Sequence, residues 1–229
     1  MKNYLVLTLI IAIFFVLALN LKVGDMKSFY EPSEILAENG SINMVSAIVL
    51  DYRIYDTFFE ILVFTVAIIG ISEFIGKIPT VAPDDQQIKY DTPIIKVITP
   101  IIFQIIVLIS LYIAITGHIA PGGGFAAGTI LGTGFLAVSL VRPTDEIENL
   151  FVKSKIEKLK MLVPLLIILY GLLGYTWGGT IFSNFHLQGS PGKLASGGSA
   201  ILLIFLIYFE VFGGSWTILY RFLKHKGLL

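Results

Sequence analysis

The sequence contains no cysteine and few charged residues. Without cysteine, the chain has no disulfides, no thiolate-held clusters and no cysteine nucleophiles. Charged residues make up 14% of its 229 residues, whereas a soluble domain carries roughly a quarter because its surface faces water. The 16 basic and 16 acidic residues balance, so net charge indicates neither nucleic acid nor an acidic partner. Any redox reaction that the protein serves would send its electrons through other subunits.

Long apolar segments are abundant instead. Hydrophobic residues make up 55% of the chain, and the mean hydropathy is +0.85. Six segments are long enough to cross a hydrocarbon core about 30 Å thick. They are residues 4–19, 57–76, 94–117, 124–141, 161–176 and 194–220. The sequence therefore predicts an all-α, polytopic protein of the cell (cytoplasmic) membrane with about six transmembrane helices and lipid around it.

The first segment and the charged residues predict the topology. Residues 4–19 follow Lys2 and are short enough for a signal peptide, but no Ala-x-Ala cleavage pattern closes them. We therefore expect a retained helix. With six spans, twelve lysines and arginines lie on one side of the membrane and three on the other. The positive-inside rule then places both termini in the cytoplasm.

Acidic residues cluster within residues 51–60, directly before a long apolar run. On a helix, Asp56 and Glu60 are four residues apart and share a face. A carboxylate below the headgroups is costly, so it normally faces a polar cavity or a partner charge. We favour proton or cation handling for Glu60. For Asp56, that role and an ion pair with Arg53 at the membrane edge both stay open, and Asp51 is expected closer to the surface.

Two further charged residues lie in or beside apolar spans. Glu210 lies inside the apolar run 201–212, with no neighbouring cation in sequence. A carboxyl there favours its protonated form, since desolvation disfavours the charge. It is a candidate proton carrier, the alternative being a neutral glutamic acid that hydrogen-bonds an adjacent helix. Lys96 opens the third span and either marks the cytoplasmic boundary, which we favour, or takes part in ion transfer.

Residues 117–125 join two apolar spans with almost no loop, so they must turn the chain at the membrane surface. Proline and consecutive glycines suit such a turn, because glycine adopts backbone angles that other residues cannot adopt cheaply. Beyond it, glycine recurs every fourth residue, a small-residue face for close helix packing. These turn and packing candidates are Pro121, Gly122, Gly123, Gly124, Gly128 and Gly132. His118 either gates protons here, with a pKa near physiological pH, or hydrogen-bonds the turn.

No enzymatic or metal-binding pattern is present in the sequence. The three histidines are far apart, without the His-Glu-x-x-His pair that holds zinc. Serine and threonine nucleophiles have no positioned base in sequence. We therefore predict no catalytic residue, no metal ligand and no cofactor in this chain.

Residues 94–220 resemble the MnhB/MrpB family, the B-type subunits of multisubunit Na+/H+ antiporters. The similarity rests on residues 118–125 (HIAPGGGF) followed by Gly128, and on Glu210 before Gly213. Residues 42–76 are similar to the end of the A-type antiporter subunit, although that family usually has glycine at the position of Tyr55 and often at that of Phe59. The resemblance divides the chain into a two-helix A-tail segment (1–76), a linker (77–93) and a four-helix MnhB/MrpB-like domain (94–229).

A small A-type tail ahead of a B-type domain is similar to archaeal membrane-bound hydrogenases and their sulfane sulfur reductase relatives. The resemblance implies a membrane subunit of an antiporter-type module that contributes to a path for Na+ or H+. Its partners would be the other membrane subunits of that module and hydrogenase-like or sulfur-reductase redox subunits. The candidates for this ion pathway are the residues that the sequence pattern itself singles out, Glu60, Glu210, Asp56, His118, Lys96 and Asp51.

Three alternatives stay open. In the first, the chain is a purely structural assembly subunit, which its glycine faces and short turn would suit. It is one component of a stand-alone Mrp antiporter. Or it is an independent secondary transporter, which the absence of internal repeats and paired broken helices disfavours.

Overall fold

The computed structural model describes residues 15, 32–77, 92–139, 141–142, 149, 156–185 and 189–224. The chain divides into two compact units, residues 1–31 and 32–229, and the second unit contains the helical bundle. The described part is helical, without strands. The helices are α1 (Pro32–Asn39), α2 (Met44–Ala47), α3 (Ile54–Ile75), α4 (Pro93–Thr116), α5 (Gly124–Ser139), α6 (Ile156–Gly178) and α7 (Ala200–Lys224), with a π-helical turn at Ile48–Tyr52 between α2 and α3.

Three helices in the described part are long and apolar enough to cross a membrane, namely α3, α4 and α7. Helix α5 and the apolar portion of α6 are shorter. The all-α, polytopic class that the sequence predicts is confirmed, and five of the six predicted spans correspond to α3–α7. The predicted span 4–19 and nearly all of the predicted linker 77–93 lie outside the described residues. The placement of both termini in the cytoplasm stays a prediction.

Helix α7 lies at the centre of the bundle and contacts α3, α4, α5 and α6. Leu203, Ile207 and Val211 repeat every fourth residue and are almost completely buried, as are Ile204 and Tyr208 beside them. Leu202 and Phe209 on the same helix are exposed. The buried residues therefore form a broad face that packs against the other helices, while the rest of the helix faces outward.

Glycines bring α5 unusually close to α7. A Cβ atom added at Gly128 would lie 2.9 Å from the Phe212 backbone nitrogen, and one added at Gly132 would lie 2.8 Å from Ser215 Cβ. Real Cβ atoms do not approach so closely, so only glycine permits this separation of the two helices. The small-residue face noted in the sequence is therefore the α7-facing side of α5.

Candidate ion-pathway site

The acidic segment is divided between two helical pieces. The π-helical turn ends at Arg53, whose φ of −121° and ψ of 33° are not helical, and α3 begins at the next residue. Asp51 therefore precedes the break, whereas Asp56 and Glu60 lie four residues apart on α3. The Thr57 hydroxyl donates a hydrogen bond to the Val49 carbonyl across the break (2.6 Å). Arg53 and Asp56 form an ion pair in which both side chains are largely exposed.

Glu60 lines a cleft of about 250 Å³ beside the proline–glycine turn. The side chain of Glu60 is exposed. The described residues of the chain therefore do not enclose it, although its place beside an apolar run suggests an enclosed site. Gly122, Gly123 and Gly124 of the turn line the same cleft, as does the buried Ser46. The structure thus brings the first acidic candidate of the sequence to the turn that lies some 60 residues further along the chain.

Asn43 connects the segment before α3 to this turn. Its side-chain amide donates to the carbonyls of Gly117 (2.7 Å) and Ala120 (2.9 Å), and its backbone N–H donates to the His118 carbonyl (3.1 Å). The turn itself needs glycine at two points. Gly123 has φ of +127°, a conformation that side chains disfavour, and a Cβ at Gly117 would lie 2.8 Å from Gly123 Cα.

Glu210 is buried at the centre of the bundle, with 1% of its surface exposed. The Thr65 hydroxyl on α3 lies 2.8 Å from Glu210 Oε1 and 2.8 Å from the Ile61 carbonyl. One hydroxyl has a single proton, which it cannot give fully to two acceptors. Either Thr65 shares its proton between the two oxygens, or a protonated Glu210 donates to Thr65 while Thr65 donates to the Ile61 carbonyl. The direction of this hydrogen bond therefore depends on whether Glu210 is protonated.

The positions of Glu60 and Glu210 can be related through α3. Thr65 follows Glu60 by five residues, which is about 7.5 Å along the helix axis and about 140° around it. Glu60 therefore faces the turn while the contact to Glu210 lies deeper and on another side of α3. Two carboxylates thus lie at different depths along one helix.

His118 is completely buried behind the turn. Its Nε2 lies 3.3 Å from the Lys193 carbonyl, which can only accept, so this nitrogen carries the proton of the neutral ring. Burial lowers the pKa of His118 below its ordinary value of 6.5, and the Lys193 and Leu194 carbonyls oppose this effect in part. The side chain therefore hydrogen-bonds next to the turn, and its role in gating stays a proposal.

Replacing His118 with glutamine should make the stability of the protein less sensitive to acid. Because the pKa is lowered on folding, the unfolded chain binds more protons than the folded one below about pH 6.5, and stability falls as the pH falls through that range. Above about pH 6.5, the His118 side chain is neutral in both the folded and the unfolded chain, and it no longer makes stability depend on pH. We expect the melting temperature of His118→Gln to change less than that of the wild type between about pH 6.5 and pH 5. Parallel pH profiles would contradict this assignment.

Lys96 lies at the opposite end of α4 from His118, about 33 Å away along the helix. It is exposed and lines a separate cleft of about 220 Å³ together with Arg142, Thr99 and Pro100. Lys96 therefore lies at the other end of α4 from the turn and the cleft that Glu60 lines. This arrangement suits the boundary role that the sequence favours.

Several polar residues near the site were not singled out in the sequence. Asn43 precedes Met44 as the N-cap of α2, with its side chain accepting from the Ser46 N–H, and asparagine before an apolar run is a recognisable cap signal. Thr65 is a lone hydroxyl in an apolar run. Asn39 and Asn184, which contact Asp51, carry no such signal, because their significance depends on contacts between distant segments.

The fold and the carboxylates in its apolar helices define a multi-pass membrane protein. Residues 94–217 match the family described as "Domain related to MnhB subunit of Na+/H+ antiporter". This match spans more than half of the chain, so the chain belongs to that family.

Two curated relatives are similar over part of their length. An uncharacterized protein of Methanocaldococcus jannaschii is 30% identical over 158 residues, which are 62% of this chain and 60% of the relative. A protein of Rhizobium meliloti, described as a probable A/B component of a K+/H+ antiporter, is 26% identical over 174 residues, which are 66% of this chain and 17% of the relative. The chain thus spans less than two thirds of either relative.

Two solved structures share the fold. A chain of the membrane-bound sulfane sulfur reductase, an archaeal respiratory membrane complex, is 25% identical with a TM-score of 0.68, and the match covers 98% of this chain and 99% of that one. A chain of the Mrp complex from Dietzia sp. has a TM-score of 0.65 at 21% identity over 99% of this chain and 26% of its own length. The second likeness shows the fold alone.

Proposed function

We propose that this chain is an ion-pathway subunit of an Mrp-type antiporter module and contributes to a path for Na+ or H+. The observation that carries the proposal is Glu210, a buried carboxyl at the centre of a membrane bundle that hydrogen-bonds Thr65 on the neighbouring helix. Ionisable groups inside a membrane are costly and mark ion or proton routes. Glu60 and Asp56 would form the accessible end of the same path, near the proline–glycine turn.

The host complex that we propose is an archaeal respiratory complex of the hydrogenase or sulfur-reductase type. The end-to-end similarity to a chain of the sulfane sulfur reductase supports this choice. The other membrane subunits of the module and a redox arm would then be the partners. In this scheme the chain holds no cofactor and catalyses no reaction by itself. Among the described residues, no group of three or more metal-ligating side chains occurs.

The A/B antiporter component among the relatives supports the proposed division of the chain. The description of that protein names both A and B, and the protein aligns with 66% of this chain. We propose that residues 1–76 correspond to an A-type tail and residues 94–229 to the B-type domain, joined by residues 77–93. The cleft at Glu60 would then lie between the two parts, since the A-type tail contributes Glu60 and the B-type domain contributes the glycine turn.

Replacing Glu60 with glutamine tests the proposed path at its accessible end. We expect Glu60→Gln to reduce Na+ or H+ transport to near the background rate, because the amide keeps the shape of the side chain but cannot exchange a proton or neutralise a cation. Glu73→Gln is the matched control, since Glu73 is also exposed on α3 but lies toward its far end. Transport is measured in vesicles that contain the intact complex. Normal transport in Glu60→Gln would remove this residue from the path.

A structural role is the second candidate function. The close contact of α5 with α7 and the three hydrogen bonds from Asn43 to the turn favour a protein that holds neighbouring helices in place. In that case the carboxylate variants would assemble and transport normally, whereas bulky replacements of the helix-facing glycines would not assemble. The two functions therefore predict opposite results for the carboxylate variants.

A further inference from the structure

Polar residues from several segments meet around Asp51. The Asn39 amide, at the end of α1, donates to Asp51 Oδ2 (2.6 Å). The Asn184 amide, in the segment after α6, lies 3.5 Å from the same oxygen. Its own carbonyl oxygen accepts from the Ser199 N–H, just before α7 (3.3 Å). The Tyr170 hydroxyl on α6 donates to the carbonyl of Ser183, the residue before Asn184 (3.4 Å).

A second set of contacts closes this group into a ring. A Cβ at Gly197 would lie 2.7 Å from Ser41 Oγ and 3.5 Å from two side-chain atoms of His118. Ser41 follows Asn39 by two residues, and Gly197 precedes Ser199 by two. The Ser196 N–H donates to the Lys193 carbonyl, which also lies against His118 Nε2, so both sets of contacts lie in one region. We call this group the polar ring. Its members are Asn39, Ser41, Asp51, His118, Asn184 and Ser196.

Four atoms of the polar ring are buried and have no hydrogen-bond partner among the residues that the structure describes. They are Asn39 Oδ1, Ser41 Oγ, His118 Nδ1 and Ser196 Oγ, and all four residues are completely buried. Buried polar atoms in native proteins are almost always paired, with protein or with ordered water. Four such atoms in one ring therefore point to a ligand that forms hydrogen bonds with them.

The chemistry of the ring indicates what the ligand must offer. Flipping the Asn39 amide would place its oxygen against the Asp51 carboxylate, so Oδ1 must remain the atom that faces away and needs a donor. His118 Nε2 carries the ring proton toward Lys193, so Nδ1 also needs a donor. The two serine hydroxyls donate or accept. Water supplies two donors and two acceptors and is the usual partner of such groups.

We propose that the polar ring holds ordered water molecules and forms a proton-relay site that connects the Asp51 carboxyl to His118 Nδ1. A water molecule in the ring donates to His118 Nδ1 and accepts from a serine hydroxyl or a protonated Asp51. A proton that leaves Asp51 then reaches His118 as each O–H bond breaks and the next forms, with no net change in the water. The relay rests on the proposed ion-pathway function, whereas the bound water does not.

The first test detects the water directly. The intact complex is irradiated in ¹⁸O-labelled water, and hydroxyl-radical products are mapped by mass spectrometry. We expect His118 to be labelled despite its complete burial, because radicals form from the adjacent bound water. Tyr208 is the control, since it is also buried but its hydroxyl hydrogen-bonds Ser110 (3.2 Å). Labelling of His118 no stronger than that of Tyr208 would overturn the proposal.

The second test uses the sign of a stability change. In a hydrated ring, Ser41→Ala and Ser196→Ala each remove a partner of the water, so the melting temperature should fall by about 2–4 °C and the label on His118 should decrease. In a dry ring, the same changes remove a hydroxyl without a partner, and the melting temperature should stay constant or rise. Ser110→Ala is the matched control. Its buried hydroxyl already has a partner within the protein, because it donates a hydrogen bond to the Ala127 carbonyl (2.9 Å).

A bound cation is the competing occupant. A melting temperature that rises with Na+ in the wild type but not in Ser41→Ala would overturn the water proposal in favour of a sodium site. Neither test depends on transport, so the two proposals fail separately. If His118 is not labelled but Glu60→Gln impairs transport, only the polar-ring proposal is rejected. If His118 is strongly labelled but transport is normal in both the Glu60 and the Glu210 variants, the ion-pathway function and the relay that rests on it are rejected, and only the bound water stands.

Discussion

Glu210→Gln should abolish ion transport by the complex while leaving the complex assembled. Glutamine has nearly the same volume, and its amide can either accept from Thr65 or donate to it at the position of Oε1, so packing and the contact to α3 persist. It cannot release or take up a proton. If Glu210 carries protons, transport measured in vesicles should fall to near background, with normal amounts of this chain in the purified complex. Normal transport together with normal assembly would favour the structural role instead.

Changes at Thr65 separate proton handling at Glu210 from packing. Thr65→Val keeps the shape of the side chain but removes the hydroxyl that pairs with Glu210, whereas Thr65→Ser keeps the hydroxyl. A hydrogen bond to one protonation state changes the ease of proton release. We therefore expect the pH profile of transport to shift in Thr65→Val and to return toward the wild type in Thr65→Ser. If both variants shifted equally, packing rather than the hydroxyl would be responsible.

Gly128→Leu should prevent stable assembly of this protein into its complex. A single Cβ atom at this position would lie 2.8 Å from Val211 Cβ and 2.9 Å from the Tyr208 carbonyl oxygen, so the longer side chain must push α5 away from α7. Overpacking in a tight core costs about 1–3 kcal/mol even when it can relax, and here part of the obstacle is backbone. Native gel electrophoresis of the complex should show loss of the intact species.

Gly70 provides the control for this change. It lies on α3, and a Cβ added there meets nothing within 4 Å in this chain. Alanine is favoured over glycine in a helix interior by about 1 kcal/mol, so Gly70→Ala should leave the melting temperature unchanged or raise it. Gly128→Ala should lower it despite the same gain in helix propensity. Equal behaviour of the two alanine variants would contradict the close packing of α5 on α7.

Local patterns in the sequence account for much of the fold. The apolar runs predict α3 to α7, because crossing a membrane requires about 20 apolar residues with their backbone hydrogen bonds formed inside the segment. The glycines of residues 122–124 and the four-residue glycine repeat on α5 likewise predict a sharp turn and a close helix contact. These features depend on neighbouring residues, so they can be read without knowing which helices meet.

The helix break at Arg53 is a feature that those patterns do not predict. The sequence reads as a continuous acidic helix start, but the π-helical turn ends at Arg53 and the Thr57–Val49 hydrogen bond bridges the break. As a result Asp51 belongs to the polar ring, whereas Asp56 stays exposed with Arg53. Two acidic residues of one short motif thus lie in different environments, one in a polar cluster and one at the surface.

The acidic residues show most clearly what the sequence determines and what the tertiary structure determines. The sequence by itself determined that this is an all-helical membrane protein, that Glu210 lies within an apolar helix, and that residues 117–125 turn the chain. Only the tertiary structure decided that Glu210 meets Thr65, that Glu60 faces the glycine turn from the surface, and that Lys96 lies far from both. The physical reason is that hydropathy and glycine content act over a few residues. Contacts between helices depend on which faces pack together, and they join distant positions such as Thr65 and Glu210, which are 145 residues apart.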